Sequence, residues 1–274
     1  MSMKDRVAII TGASRGIGAA VARKLAAEGM AVTLAAKTLE ESGDVPGSIL
    51  SVAEEIRAAG GRALPIQTNV RDEEAIERMV ARTVEEFGRV DVLVNNAGAL
   101  WWYPVTETPA KRFDLMIDVN VRASFLASAA VLPHMKKNRW GHIINMSPPI
   151  DLDVLPGKVG YFISKYGMSM LTMGLAQEVK SLNIAVHSLW PVTLIESMAT
   201  MHFNLGGPKM WRKPEILADA LWAVVNKEPS LRTGKVLLDE DILGQEGISD
   251  FSGYNCTPDG QPMRIVWDKS GKQG

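Results

Sequence analysis

The sequence predicts an α/β protein in which a doubly wound parallel sheet of seven strands carries helices on both faces, in a single domain. Three observations predict it. Short apolar runs alternate with longer segments of helical period along most of the chain. The runs are nearly continuous in apolar residues, as strands buried between two helix layers must be. Gly29, Gly60 and Gly88 stand where the intervening helices should stop.

In order, the strands are expected at 6–10, 31–35, 63–67, 90–94, 141–146, 184–189 and 235–238. Helices are expected at 17–28, 49–59, 72–87, 109–137, 161–181 and 214–226. Asp72 suits an N-cap, with Glu73 and Glu74 in the first turn. Three segments break the alternation. Residues 37–48 form a polar loop with glycine and proline. Residues 191–213 form a Met-rich apolar loop, with Gly206, Gly207 and Pro208, able to close over a site as a lid. The chain from 239 onward is rich in Asp, Gly and Pro and is expected to be irregular. None resembles an interdomain linker, so 1–274 reads as one domain with its core at 4–240 and a tail at 241–274.

Composition narrows the function classes. The 274 residues are 46% hydrophobic and 22% charged, enough apolar material for one large core. A net charge of −1 gives no support for nucleic acid as a partner. No uninterrupted apolar run reaches the roughly 18 residues of a membrane span. The N-terminal run of 7–10 is too short for the apolar part of a signal peptide. Cys256 is the single cysteine, which fits a reducing, cytoplasmic setting. His134, His142, His187 and His202 have no metal-ligand spacing, so no metal is expected.

In a doubly wound sheet, ligands bind at the carboxyl ends of the strands, near the switch point. The segment TGASRGIG, Thr11 to Gly18, lies there, between the first strand and first helix. Gly12 permits a tight turn, Gly16 a close approach to a pyrophosphate, and Gly18 close packing of helix on strand, the Rossmann-type arrangement. Free N–H groups at the helix start then meet the phosphates. A left-handed turn without ligand has the same glycines. At the end of the second strand, an acidic residue would favour NAD; this chain has Ala35, Ala36 and Lys37. Lys37 with Arg15 can neutralise a 2′-phosphate, which points to NADP(H), or both can be solvated surface cations. The segment NNAG, Asn95 to Gly98, leaves room for a planar adenosine or is simply a turn.

Tyr161 and Lys165 are four residues apart on a predicted helix and share one face. The ammonium is expected to lower the phenol pKa and make Tyr161 a general acid or base for carbonyl–alcohol interconversion. A surface Tyr–Lys pair has the same spacing. Ser147, at the end of the fifth strand, can orient a substrate oxygen, or is a serine before the Pro148–Pro149 turn. Asn120 is a poor residue inside a helix. It can mark a kink and hold a water beside Lys165, or be a tolerated polar residue.

These motifs, in this order and at about this spacing, resemble the short-chain dehydrogenase/reductase family from about residue 4 to 238. The resemblance implies a catalytic set of Asn120, Ser147, Tyr161 and Lys165. It implies a cofactor site from Gly12, Ser14, Arg15, Gly16, Ile17 and Gly18, Lys37, Asn69 and Val70, then Asn96, Ala97 and Gly98, with Tyr161 and Lys165 at the ribose. Asn69 replaces the family's usual Asp. Pro191-Val192 replaces its usual Pro-Gly, which shifts the carboxamide contacts among Thr193, Ile195 and Ser197. By the same resemblance the long fourth and fifth helices pair across a two-fold axis, giving a homodimer or homotetramer.

Residues 100–103, 148–155 and 198–211 are expected to line the substrate pocket, through Trp101, Trp102, Tyr103, Leu152, Leu155, Met198, Met201, Phe203 and Trp211. Such a lining suits a small-to-medium apolar carbonyl or alcohol compound, though the same residues also serve as core or subunit contacts. A 3-oxoacyl thioester reductase and a non-catalytic NADP-binding protein are the alternatives.

Overall fold

The computed structural model describes residues 3–41 and 46–266. Seven strands form one parallel sheet in the order β3-β2-β1-β4-β5-β6-β7. They are β1 Val7–Thr11, β2 Ala31–Ala36, β3 Arg62–Gln67, β4 Val92–Asn95, β5 Gly141–Met146, β6 Ile184–Trp190 and β7 Lys235–Leu238. The order reverses between β1 and β4, which pair in register from Ala8↔Val92 to Ile10↔Val94. β1, β2, β4 and β5 are buried along their whole length, whereas the edge strands β3 and β7 are partly exposed. Pro65, which cannot donate to a ladder, lies in edge strand β3.

The helices cover both faces. α1 Gly16–Ala27, α2 Ile49–Ala58 and α8 Glu215–Val225 pack on one side, with Val21, Leu25, Ile56, Leu217 and Leu221 in a common core. α3 Glu73–Phe87, α5 Ala123–Asn138 and α6 Val159–Val179 pack on the other, through Ile76, Met79, Val131, Met135 and Leu175. The helices preceding Gly29, Gly60 and Gly88 do end there, each glycine taking a positive φ of 94°, 84° and 78°.

Four features differ from the sequence reading. Asp72 occupies the N-cap of α3, but its side chain makes no capping bond and instead faces Arg78 at 3.5 Å. The long fourth helix is not uniform. α4 Ala110–Met116 passes through a π-helical stretch, Ile117–Arg122, into α5. Such wide turns free backbone groups and gather at functional sites. By length and apolar composition the run Ala110–Asn138 could cross a membrane, at a mean hydropathy of 1.5; here it is a layer helix, packed on β4, β5 and α3.

The chain after β7 is also more ordered than expected. It forms α9, Asp239–Gln245, with three acids in its first turn where the helix dipole favours them. Beyond it, residues 251–266 lie along the loop that follows β6. Leu194 N donates to Met263 O at 2.9 Å, Ile265 N to Val192 O at 2.8 Å and Gln261 N to Lys209 O at 2.7 Å. This strap is hydrogen-bonded along the loop 191–213, which contains α7 Met198–His202. Asp239 adds to the seam, accepting from Val192 N at 2.9 Å.

At the opposite end of the sheet, Asp91 is fully buried. It accepts from Arg6 Nη1 at 3.0 Å, Arg89 Nη2 at 2.6 Å and Val7 N at 3.0 Å. Arg6 also stacks on Trp140, 3.7 Å from the ring centroid. Replacing Asp91 by Ala strands a buried guanidinium. That change is expected to destabilise the protein by about 3 to 5 kcal/mol, read as a drop of roughly 5–15 °C in melting temperature for a chain of this size. A drop below about 2 °C would show the cluster to be unimportant.

Candidate active site

Two loops meet at the switch point and are laced by one hydroxyl and one amide. The Thr11 hydroxyl accepts from Asn96 N at 3.1 Å and Ala97 N at 3.0 Å. Asn96 Nδ2 donates to Thr11 O at 2.9 Å and Gly12 O at 3.1 Å. The packing allows no side chain at two glycines. A Cβ on Gly12 would stand 2.9 Å from Ala97 Cα, and one on Gly18 would stand 2.3 Å from Gly12 O. Gly16, at φ +54°, has open space where its Cβ would be. It begins α1, and its N-cap, Arg15, makes no side-chain capping bond. The amide groups of that first turn therefore face an open crevice at the positive end of a helix, which fits the phosphates of a nucleotide.

The remaining cofactor candidates differ in exposure. Ser14 and Val70 are buried, and Ile17 is half-buried in the first turn of α1. Asn69 is exposed, and its Oδ1 accepts from Arg71 N at 3.3 Å, leaving further capacity for a ligand. Lys37 is exposed just after β2. Arg15 is not free: it donates to Pro46 O at 3.0 Å and Gly47 O at 2.7 Å, pinning that loop over Ser14. Residues 42–45 of the predicted polar loop lie outside the described residues.

Asn120, in the π-helical stretch, is a clamp. Its Oδ1 accepts from Ala99 N at 2.8 Å, and its Nδ2 donates to Ala99 O at 2.9 Å and Ser164 Oγ at 2.8 Å. Ser164 in turn donates to Tyr161 O at 2.6 Å. Asn120 thus joins the loop after β4 to the first turns of α6. A water beside Lys165 is not needed to explain its burial.

Tyr161 and Lys165 lie on one face of α6, both buried. Lys165 Nζ donates to Met146 O at 2.8 Å and lies 5.5 Å from the Trp190 ring centroid. The expected lowering of the phenol pKa by Lys165 does not appear among the protein atoms alone. Burial pushes the Tyr161 phenol up, and burial pushes Lys165 down to about 7. Each group is held toward its neutral form because the enclosure disfavours charge.

Ser147 directly follows β5. It is wholly buried and donates to Ser188 Oγ at 2.7 Å, behind the end of β5. Ser188 meets the Thr172 hydroxyl at 2.8 Å, and Asn145 Nδ2 donates to Thr172 Oγ1 at 2.8 Å. Ser147 is thus the first member of a buried hydroxyl chain that links β5, β6 and α6. Of the carboxamide candidates, Ser197 is committed to capping α7, accepting from Thr200 N at 3.1 Å. Ile195 O accepts from Thr200 Oγ1 at 3.0 Å. The Thr193 hydroxyl is buried with no partner among the described residues, which favours it as the donor to a bound group.

Of the residues expected to line a substrate pocket, Trp101, Trp102 and Leu155 share one apolar cluster with Tyr161. Trp102 meets the Tyr161 ring edge-on at 6.0 Å. Trp101 packs 4.7 Å from Tyr103 and 6.4 Å from Phe203, joining two distant segments. Leu155 joins the same apolar cluster. Leu152 is largely exposed, and Met198 and Met201 are exposed as well. Trp211 instead pins the loop, its indole donating to Leu205 O at 2.7 Å. Sequence reasoning missed Met116 and Trp190, which complete the cluster from α4 and the end of β6. It also missed Arg112 and Lys158, whose side chains stack on Trp101 and Trp102. Nothing in their local sequence marks them.

The family profile described as short chain dehydrogenase matches residues 6–204. The chain is 47% identical over 257 residues to hydroxysteroid dehydrogenase-like protein 2 of Bos taurus, covering 93% of this chain and 61% of that protein. It therefore spans about three-fifths of the length of that curated relative. Among solved structures, a short chain dehydrogenase of Mycobacterium thermoresistibile superposes with a TM-score of 0.90 at 41% identity, covering 100% of this chain and 99% of that one. A metagenomic short-chain oxidoreductase in complex with NADP gives 0.73 at 30% identity, covering 87% and 97%.

The depressed Lys165 has a pH signature. The unfolded chain holds this proton up to about pH 10.5, and the folded chain releases it near 7. Between those values the unfolded state binds more protons, so stability rises with pH. Relative to Lys165→Met, the wild type is expected to gain about 1 kcal/mol per pH unit from pH 7.5 to 9.5 in urea unfolding. Parallel pH profiles for the two proteins would show that Lys165 is charged in the folded state.

Proposed function

The chain belongs to the short-chain dehydrogenase family, and on that premise we propose that it is an NADP-dependent oxidoreductase interconverting a carbonyl and an alcohol on an apolar substrate. The observation that carries the proposal is the burial of Tyr161 and Lys165 on one face of α6, beside the nucleotide crevice. A bound nicotinamide nucleotide supplies or accepts the hydride. In reduction Tyr161 gives the phenolic proton to the substrate oxygen; in oxidation it takes the hydroxyl proton. Lys165 responds to the charge that Tyr161 gains or loses: a group with a pKa near 7 changes protonation readily at working pH. Asn120 keeps the Gly98 side of the crevice and the Tyr161 turn in fixed register. Trp101, Trp102 and Phe203 exclude water and accept an apolar body.

Lys37, exposed at the end of β2 with no acid in its place, supports NADP over NAD. Arg15 contributes mainly by fixing the loop beside it. A homo-oligomer is proposed from the apolar surface of α5 and α6, where Phe125 and Met170 are 59% and 64% exposed beside Ile163 and Met173.

Tyr161→Phe is expected to lower the rate of NADPH oxidation by a ketone panel about 10²- to 10⁴-fold while leaving NADPH binding within about twofold. Equal rates on every accepted ketone would remove Tyr161 from proton transfer. Lys37→Ala is expected to weaken NADPH binding about 10-fold or more and NADH binding by less than about threefold. Equal losses in a titration by cofactor fluorescence would remove Lys37 from phosphate recognition.

A further inference from the structure

Two cations hang over the aromatic wall of the substrate cleft. The Arg112 guanidinium lies 4.6 Å from the Trp101 ring centroid, and Lys158 Nζ lies 4.7 Å from that of Trp102. Trp102 is itself the ring that meets Tyr161, so Lys158 stands one aromatic layer from the proposed acid, and Arg112 lies over the neighbouring Trp101. Arg112 is carried by α4 and Lys158 begins α6, and these two helices pack on each other. A Cβ on Gly160 would touch the Phe113 ring at 3.4 Å and Thr108 Cγ2 at 3.7 Å.

Among the described residues neither cation has an acidic partner. Elsewhere on the surface Arg23, Arg71, Arg78, Arg82 and Arg122 all have one. The nearby acids are Glu107, Asp114, Asp151 and Asp153, and none forms an ion pair with Arg112 or Lys158; the Asp151 carboxylate accepts from Asp153 N at 3.1 Å. Lys158 occupies the N-cap of α6, and the first turn of that helix holds no acid. A helix favours an anion at that end, so the lysine adds positive charge to a place already positive. The indole N–H of Trp102 is buried with no acceptor. Two cations without acidic partners therefore lie over a wall that is otherwise apolar, and that wall holds one buried, unused donor.

We propose that this cleft selects carbonyl or alcohol compounds carrying an anionic group on an apolar body, with Arg112 and Lys158 binding that group while the reacting carbon lies at Tyr161. The proposal rests on the oxidoreductase reading above and names its substrate class. Ring stacking holds both cations in place, so less freedom is lost when they bind an anion. A free keto acid and a 3-oxoacyl thioester of coenzyme A both offer such a charge, as a carboxylate or as phosphate.

The test compares 4-acetylbenzoate, its methyl ester and acetoacetyl-coenzyme A as substrates with NADPH. The wild type is expected to favour one of the two anions over the ester by about tenfold or more in kcat/KM, chiefly through KM. Preference for the acid identifies a carboxylate, and preference for the thioester identifies phosphate. Arg112→Gln with Lys158→Gln is expected to bring the anion-to-ester ratio to within about twofold of unity. If wild type favours neither anion over the ester, or if the preference survives in the double variant, the proposal is overturned. Should no ketone be reduced at all, the oxidoreductase reading fails by itself. Anion recognition is then judged from tryptophan fluorescence. Saturable quenching by 4-acetylbenzoate that is absent with its ester and lost in the double variant sustains it, and equal quenching by acid and ester ends it.

Discussion

The site depends on one carboxamide. Asn120 uses its oxygen and both of its donor hydrogens, gripping the backbone of Ala99 on one side and Ser164 on the other. Its own carbonyl accepts from Ser124 at 2.6 Å. From there a buried polar chain runs beneath the site. Ser124 O accepts from Ser128, whose hydroxyl accepts from Asn95 Nδ2 at 3.4 Å; Asn95 donates to Asn145, Asn145 to Thr172, and Thr172 meets Ser188 and so Ser147. Each member is buried, so each must be satisfied, and together they hold the ends of β4, β5 and β6 and the first half of α6 in one arrangement. The π-helical stretch is what turns Asn120 inward to reach these partners.

Rigidity beneath the site is matched by low polarity within it. Tyr161 and Lys165 are enclosed by Trp102, Trp190, Phe162 and Met116, and burial pushes both toward their neutral forms. An exposed tyrosine and lysine at the same spacing would attract each other weakly and remain charged or neutral as in water. Here the charge state is set by what else occupies the enclosure. A positive group near Tyr161 has far more effect than it would in solvent.

Most of the fold was legible because parallel strands and their helices declare themselves by continuous apolar runs and helical period, and glycines such as Gly88 mark the stops. The glycine loop and the Tyr161–Lys165 pair were legible because local geometry dictates them. What was not legible depends on contacts distant in sequence. The bond from Ser147 to Ser188 depends on side chains of β6 and α6, not on the position of Ser147 after a strand. The same holds for Trp211, taken by Leu205, and for Arg112 and Lys158, which gain meaning only from the tryptophans beneath them. The segment after 239 was misread because its many Asp and Gly residues describe a turn-rich strap that borrows its hydrogen bonds from another loop.

That strap has a consequence for the order in which the protein is made. The wall at 192–195 is synthesised well before its partner at 263–265, and its backbone donors at Leu194 and Arg264's neighbour Ile265 are matched only when both have emerged. A chain that ends with β6 lacks both this strap and α8, so neither the wall of the site nor the core face under α1 has its partner yet. One side of the site is therefore completed by residues translated about 70 positions after the wall they pair with, from Val192 to Ile265.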